Sequence, residues 1–200
     1  MSKKQLIISS ILSAVFTLGL LSVLFYFTLQ ENRQLAHFYF TNTGGHATIT
    51  LGSYRLGAAP IRDYTLPTGW YDLTIATDYY TYTLPLRLSS QTATVVDWQV
   101  SHSLDTSSGV IYELIPTGDD THPLSIVTTP DRAAITIDHQ STSSTTPVYS
   151  PVELDTLSTG EHTINLNLPG HLALQVPVIL TPGYKLKLTV KLAANQAIFQ

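Results

Sequence analysis

The sequence predicts an all-β protein, organised as two tandem small β-sandwich-like repeats that follow a single N-terminal transmembrane α-helix. Three observations carry this prediction. An uncharged apolar stretch lies near the N-terminus, and apolar and polar residues alternate with period two over most of the remainder. In addition, the remainder is self-similar, so that one half can be laid on the other.

The apolar stretch comes first. The chain has 200 residues, 44% hydrophobic and only 12% charged, and from Leu6 to Leu29 no side chain carries charge. As a helix this segment is about 36 Å long, enough to cross a bilayer with some tilt. Ser9, Ser10, Ser13, Thr17 and Ser22 are scattered and form no polar stripe of the kind a globular core helix shows. A cleaved signal peptide has a shorter apolar region and a small-x-small site, and Gln30-Glu31-Asn32-Arg33-Gln34-Leu35 offers no small residue ahead of Ala36. There is no cysteine to carry a lipoprotein's acyl chain or a disulfide. Residues 6–29 are therefore expected to stay attached as a signal-anchor. Lys3 and Lys4 put residues 1–5 in the cytoplasm and the rest of the chain outside. Phe25, Tyr26 and Phe27 fit an interfacial aromatic belt.

Beyond the anchor, strands follow one another between Gly and Pro punctuation. The alternation is plain in Ala47-Thr48-Ile49-Thr50-Leu51, Tyr71-Asp72-Leu73-Thr74-Ile75, Ile135-Thr136-Ile137, Ile164-Asn165-Leu166 and Leu186-Lys187-Leu188-Thr189-Val190-Lys191-Leu192. Each has one apolar face, as a sheet packed on one side requires. No helix is expected here.

The self-similarity defines the units. Phe40 falls on Ile126, Ala47 on Ala133, Ile49 on Ile135, Leu51 on Ile137 and Pro60 on Pro147. Further along, Leu66 meets Leu157, Gly69 meets Gly160, Leu73 meets Ile164, Pro85 meets Pro177, Leu88 meets Leu180 and Val100 meets Leu192, with the main gap between Pro147 and Gly160. The first repeat is 37–100 and the second 123–192. Between them, 101–122 is an acidic linker containing Asp105, Glu113, Asp119 and Asp120, in which Val110 to Ile115 reads as a bridging strand. Residues 193–200 form a tail without an evident role. Units of 65–70 residues are marginal alone, so the two are expected to pack together or be tied by the linker.

These residues resemble the PEGA domain, a short β repeat found mostly in extracytoplasmic bacterial and archaeal proteins and named for a Pro-Glu-Gly-Ala turn. Pro130-Asp131-Arg132-Ala133 is similar to the naming turn, Ile135-Thr136-Ile137-Asp138 to the following strand, and Thr145-Thr146-Pro147 to a Thr-Pro step. Leu157-Ser158-Thr159-Gly160-Glu161-His162 and Pro169-Gly170-His171 resemble the later strand entry and Gly-Tyr corner. The first repeat offers Gly44-Gly45-His46-Ala47, Leu56 to Pro60, Leu66 to Tyr71 and Asp78-Tyr79 at the same places. Arg132 and His139 replace expected glycines and His171 an expected tyrosine, which implies altered turn geometry there. The resemblance implies a compact β-sandwich-like unit and an accessory role at the cell envelope, with no catalytic residue to carry over.

Chemistry is sparse. The seven histidines do not converge in sequence, and Asp119-Asp120-Thr121-His122 reads as an acidic turn rather than a metal site. His162 and His171 stand where the first repeat has Tyr71 and Tyr79, as aromatic-position substitutes. Ser141 to Thr146 reads as a hydroxyl-rich hairpin, since no nucleophile elbow or Ser-x-x-Lys accompanies it. With no phosphate loop or metalloprotease motif either, an enzyme is not expected, and no cofactor or metal is called for. A net charge of −4 disfavours nucleic acid. Among the aromatics, Tyr80 and Tyr82 are assigned to the core, which leaves Trp70 and Tyr79 as candidate ligand contacts. The expected function is a non-enzymatic, membrane-anchored envelope module that binds or scaffolds cell-wall polymer, surface-layer protein or glycan. The alternatives are a structural spacer or assembly subunit pairing with another envelope protein, and the N-terminal stalk of a longer protein.

Overall fold

The structure is a computed structural model that describes residues 34–139, 144–155 and 157–196. The segment expected to cross the membrane, 6–29, lies outside the described residues. What is described is all-β, with fifteen strands. The first seven are β1 (Leu35–Thr43), β2 (Ala47–Leu51), β3 (Tyr54–Ala58), β4 (Ile61–Pro67), β5 (Gly69–Thr77), β6 (Thr81–Leu88) and β7 (Ala93–Gln99). They form two packed layers, β4-β1-β7 against β3-β2-β5-β6. Alternation explains the packing. Phe38 and Phe40 of β1, Val96 and Trp98 of β7, and Ile49, Leu73, Ile75, Leu84 and Leu86 of the other layer all turn inward into one core. Each fully buried large side chain of this kind contributes about 1.5–3 kcal/mol.

The last seven strands repeat the plan. They are β9 (Leu124–Thr129), β10 (Ala134–His139), β11 (Ser144–Tyr149), β12 (Val152–Leu154), β13 (Gly160–Asn167), β14 (Leu174–Leu180) and β15 (Tyr184–Lys191). The layer β12-β9-β15 packs on β11-β10-β13-β14. In the first module β1 and β7 pair in parallel with Phe40 beside Val96; in the second β9 and β15 pair in parallel with Ile126 beside Leu188. Val100 N–H donates to Thr43 O, and Leu192 N–H to Thr129 O.

The topology corrects one equivalence. Pro60 lies between β3 and β4, but Pro147 lies inside β11. The residue in the matching place is Pro151, between β11 and β12, and the step from Pro151 to Gly160 equals that from Pro60 to Gly69. The extra residues of the second module therefore belong to the β10–β11 hairpin, whose residues 140–143 are outside the described ones. The hydroxyl-rich run continues from there into β11.

Between the modules, β8 (Ser108–Pro116) completes a seven-stranded sheet of order β12-β9-β15-β8-β7-β1-β4. It pairs antiparallel with β7 on one side and with β15 on the other. The acidic stretch 101–122 thus supplies the central strand of the shared sheet. Successive β8 side chains face opposite ways: Ile111 enters the first core, whereas Val110, Tyr112 and Leu114 join the second. The two outer layers consequently cover opposite faces of the sheet. Gly109 sits under Trp98, whose ring would lie 2.0 Å from any Cβ placed there.

The joint is also polar. Glu113, buried at the centre, accepts the Arg87 backbone N–H at 3.1 Å and pairs with Lys187 Nζ at 2.7 Å. Lys191, also buried, donates to Ser107 O at 3.0 Å. The tail is not idle: Ala194 N–H donates to Asp105 O, His171 bridges to Ala194, and Asn195 N–H donates to Gly170 O.

Four edge strands carry protective features. The outer edge of β6 has Pro85, without a donor, and the Arg87 N–H that Glu113 occupies. Edge strand β14 carries Pro177. Strand β4 is bulged, with Asp63 in the left-handed region (φ 50) and 2.5 Å from His37 Nδ1, and β12 has only three residues. Such features discourage strand addition.

Candidate functional site

Two exposed aromatic sites emerge, one at each end of β5. The strand turns Tyr71, Leu73 and Ile75 toward the core and Trp70, Asp72 and Thr74 away from it. Trp70 is 68% exposed and pairs across the ladder with Arg87 of β6. Its inward neighbour Tyr71 donates its hydroxyl to Pro67 O at 2.7 Å and meets Tyr54 edge-on, with ring centroids 6.1 Å apart. Tyr54 and Leu35, which pairs with Pro67, extend the apolar surface around this end.

Tyr79 lies in the hairpin after β5. Thr77 Oγ1 accepts the N–H groups of Tyr79 and Tyr80 at 3.2 and 3.0 Å and donates to Tyr80 O, which fixes the turn. The Tyr79 ring is 52% exposed and lies 4.8 Å from the His102 ring, tilted by 44°. His102 belongs to the segment leading into β8, and that segment is braced. Trp98 Nε1–H donates to the Tyr80 hydroxyl, which donates to Ser107 Oγ; Ser107 Oγ accepts from Ser101 N–H and donates to Ser103 O. Tyr82 stacks on Trp98 at 5.4 Å. Tyr79 and His102 are thus rings held on rigid supports.

Nine residues of β5 at about 3.3 Å each separate the two sites by about 30 Å. Trp70 and Tyr79 do not share a site. His102 as the partner of Tyr79 was not visible in the sequence, because the two meet only through the return of the chain from β7 into β8.

The other polar clusters have structural roles. Asp119 accepts from Thr121 N–H at 3.1 Å and from the Thr121 hydroxyl, and these bonds hold its carboxyl below the ordinary range. His122 Nε2–H donates to Leu157 O at 2.8 Å, and the backbone of 117–121 is bonded to Gly183. His162 is buried, with Nε2–H donating to Ser158 O at 2.8 Å, four residues back, as Tyr71 donates to Pro67. Among the described residues, no group of three or more His, Asp or Glu side chains comes together as a metal-binding set.

Residues 121–196 match the family model of the PEGA domain. The matched stretch takes in all of β9 to β15 and the integrated part of the tail. The chain has no match among curated proteins or among solved structures.

Proposed function

We propose that this chain, whose residues 121–196 carry a PEGA domain, is a non-enzymatic module of the cell envelope. In this reading residues 6–29 anchor it in the membrane, and residues 37–100 are a second, more diverged copy of the same repeat. The β unit stands outside the membrane and binds or scaffolds wall polymer, surface-layer protein or glycan. The carrying observation is the Tyr79–His102 ring pair, exposed but braced by hydrogen bonds on both supporting segments. Flat apolar faces with polar tips suit stacking on sugar rings. The blocked edges favour contact through such side-chain surfaces over strand addition.

A photo-crosslinker placed at His102 of the full-length protein in its native cells tests this. Wall polymer or glycan in the adduct, with loss of capture in Tyr79→Ala, is expected. An adduct containing only another envelope protein would replace ligand binding by the spacer reading, which the rigid joint at β8 supports. No adduct at all would remove this end from the function.

A further inference from the structure

We propose that the end of the β unit carrying Leu35, Tyr54 and Trp70 rests on the interface of the bilayer that holds the chain. The inference depends on the anchor reading above, and the chemistry it invokes is that of a phospholipid headgroup layer.

Four observations converge. First, the apolar groups collect at one end of the first module: Leu35 pairs with Pro67, Pro67 accepts from Tyr71 and Tyr71 touches Tyr54, while Trp70, the residue before Tyr71, projects from the opposite face of β5. Second, these groups are uncovered, with Leu35 at 49%, Tyr54 at 38% and Trp70 at 68% exposure. Third, the tether is short. An anchor ending at Leu29 leaves six Cα steps to Leu35, which can reach no further than about 20 Å, whatever path they take. The headgroup region itself is about 5–8 Å deep on each side. Leu35 is therefore tethered within about 20 Å of the anchor's end, near enough for this end of the unit to reach the headgroup layer. Fourth, the residue types match that location. Tryptophan and tyrosine concentrate at membrane interfaces, and exposed Arg55 and Arg87, beside Tyr54 and opposite Trp70, can reach phosphates while their stems lie along the apolar surface.

Charge sets the tilt. At the same end of the shared sheet the second module presents exposed Asp119, Asp120 and Asp155, which anionic lipid repels, and Asp72 flanks Trp70. Contact is therefore through the first module, with the second held off, and Tyr79 and His102 point away at the far end of β5.

The test uses full-length protein reconstituted in phosphatidylcholine vesicles, with and without added phosphatidylglycerol, containing lipids brominated at shallow acyl positions. Emission of Trp70 is the difference between wild type and Trp70→Phe, because Trp98 is buried and common to both. A Trp70→Phe, Tyr79→Trp protein reports the far end. Brominated lipid is expected to remove most of the Trp70 emission in both lipid mixtures and to leave the far-end reporter intact. A co-floating protein whose Trp70 stays open to acrylamide and blind to brominated lipid overturns the docking while sparing the anchor. Equal quenching of both reporters overturns the orientation. Trp70 that is water-exposed on vesicles but shielded by added wall polymer reassigns the patch to glycan. Failure to float with vesicles refutes the anchor, and the inference with it.

Discussion

Arg132 holds a left-handed backbone (φ 62) in the turn before β10, with its N–H donated to Ser150 O at 3.1 Å. A side chain in this region costs about 1 kcal/mol or more relative to glycine, offset in part by glycine's greater freedom when unfolded. Arg132→Gly is expected to stabilise the protein by about 0.5 kcal/mol, read as a raised urea midpoint at unchanged slope. The half-buried tyrosines set the alkaline limit. Burial raises the pKa of Tyr82 and, with help from Asp97, of Tyr112 above 10.0. Unfolded tyrosine ionises first, so their stabilisation is complete below about pH 10 and lost as pH rises through the folded values. Lys191, lowered by desolvation, acts with the opposite sign but is a single group. Urea titrations from neutral pH upward should show stability falling above about pH 10, less steeply in Tyr82→Phe, Tyr112→Phe. At this scale the sequence was readable where alternation governs: Trp70 was placed outward because Tyr71, Leu73 and Ile75 must point in. The sequence also set His162 at the place of Tyr71, whereas the bond that each makes to a carbonyl four residues back emerged only from the fold.

At the scale of the strand, β8 and the outer edges decide most. Glu113 is buried between Arg87 N–H and Lys187. Glu113→Ala strands a donor and a partly buried ammonium, and is expected to cost about 2–3 kcal/mol by chemical denaturation; Lys187→Ala, which leaves the buried Glu113 carboxylate without its cation, should cost at least as much. Pro177 keeps a donor off the edge of β14, beside exposed Ile179. Pro177→Val should add that donor and promote self-association, seen as larger species in sedimentation velocity as concentration rises. Strands with one buried face, such as β5 and β15, could be read from sequence because burial enforces the two-residue period. The place of β8 could not: Val110 to Ile115, Glu113 apart, is apolar on both sides because each side meets a different core. Continuous hydrophobicity signals a strand buried on both faces without saying between what. Pro147 misled for a related reason, since a longer hairpin displaced the matching proline to Pro151.

For the whole described unit, β8 couples the two cores. Calorimetry is expected to show one cooperative transition for the β region rather than two, and Gly109→Leu, which must displace the Trp98 ring, should lower that one transition without splitting it. Two separate transitions would mean that the modules melt independently despite the common sheet. The strands of both halves were legible because each buries one face; the contacts of Lys191 with Ser107 and of Ala194 with Asp105 were not, since they join residues more than a linker apart.

The same strand limits growth. Each module offers the inner side of its last strand, β7 or β15, as the docking edge, and β8 occupies both. A third module added by gene duplication would find no vacant edge of this kind, and would have to hang from a flexible connection or pair with bulged β4 or the three residues of β12. This joint makes a closed pair, so lengthening the protein would require a different kind of connector rather than another copy of the same one.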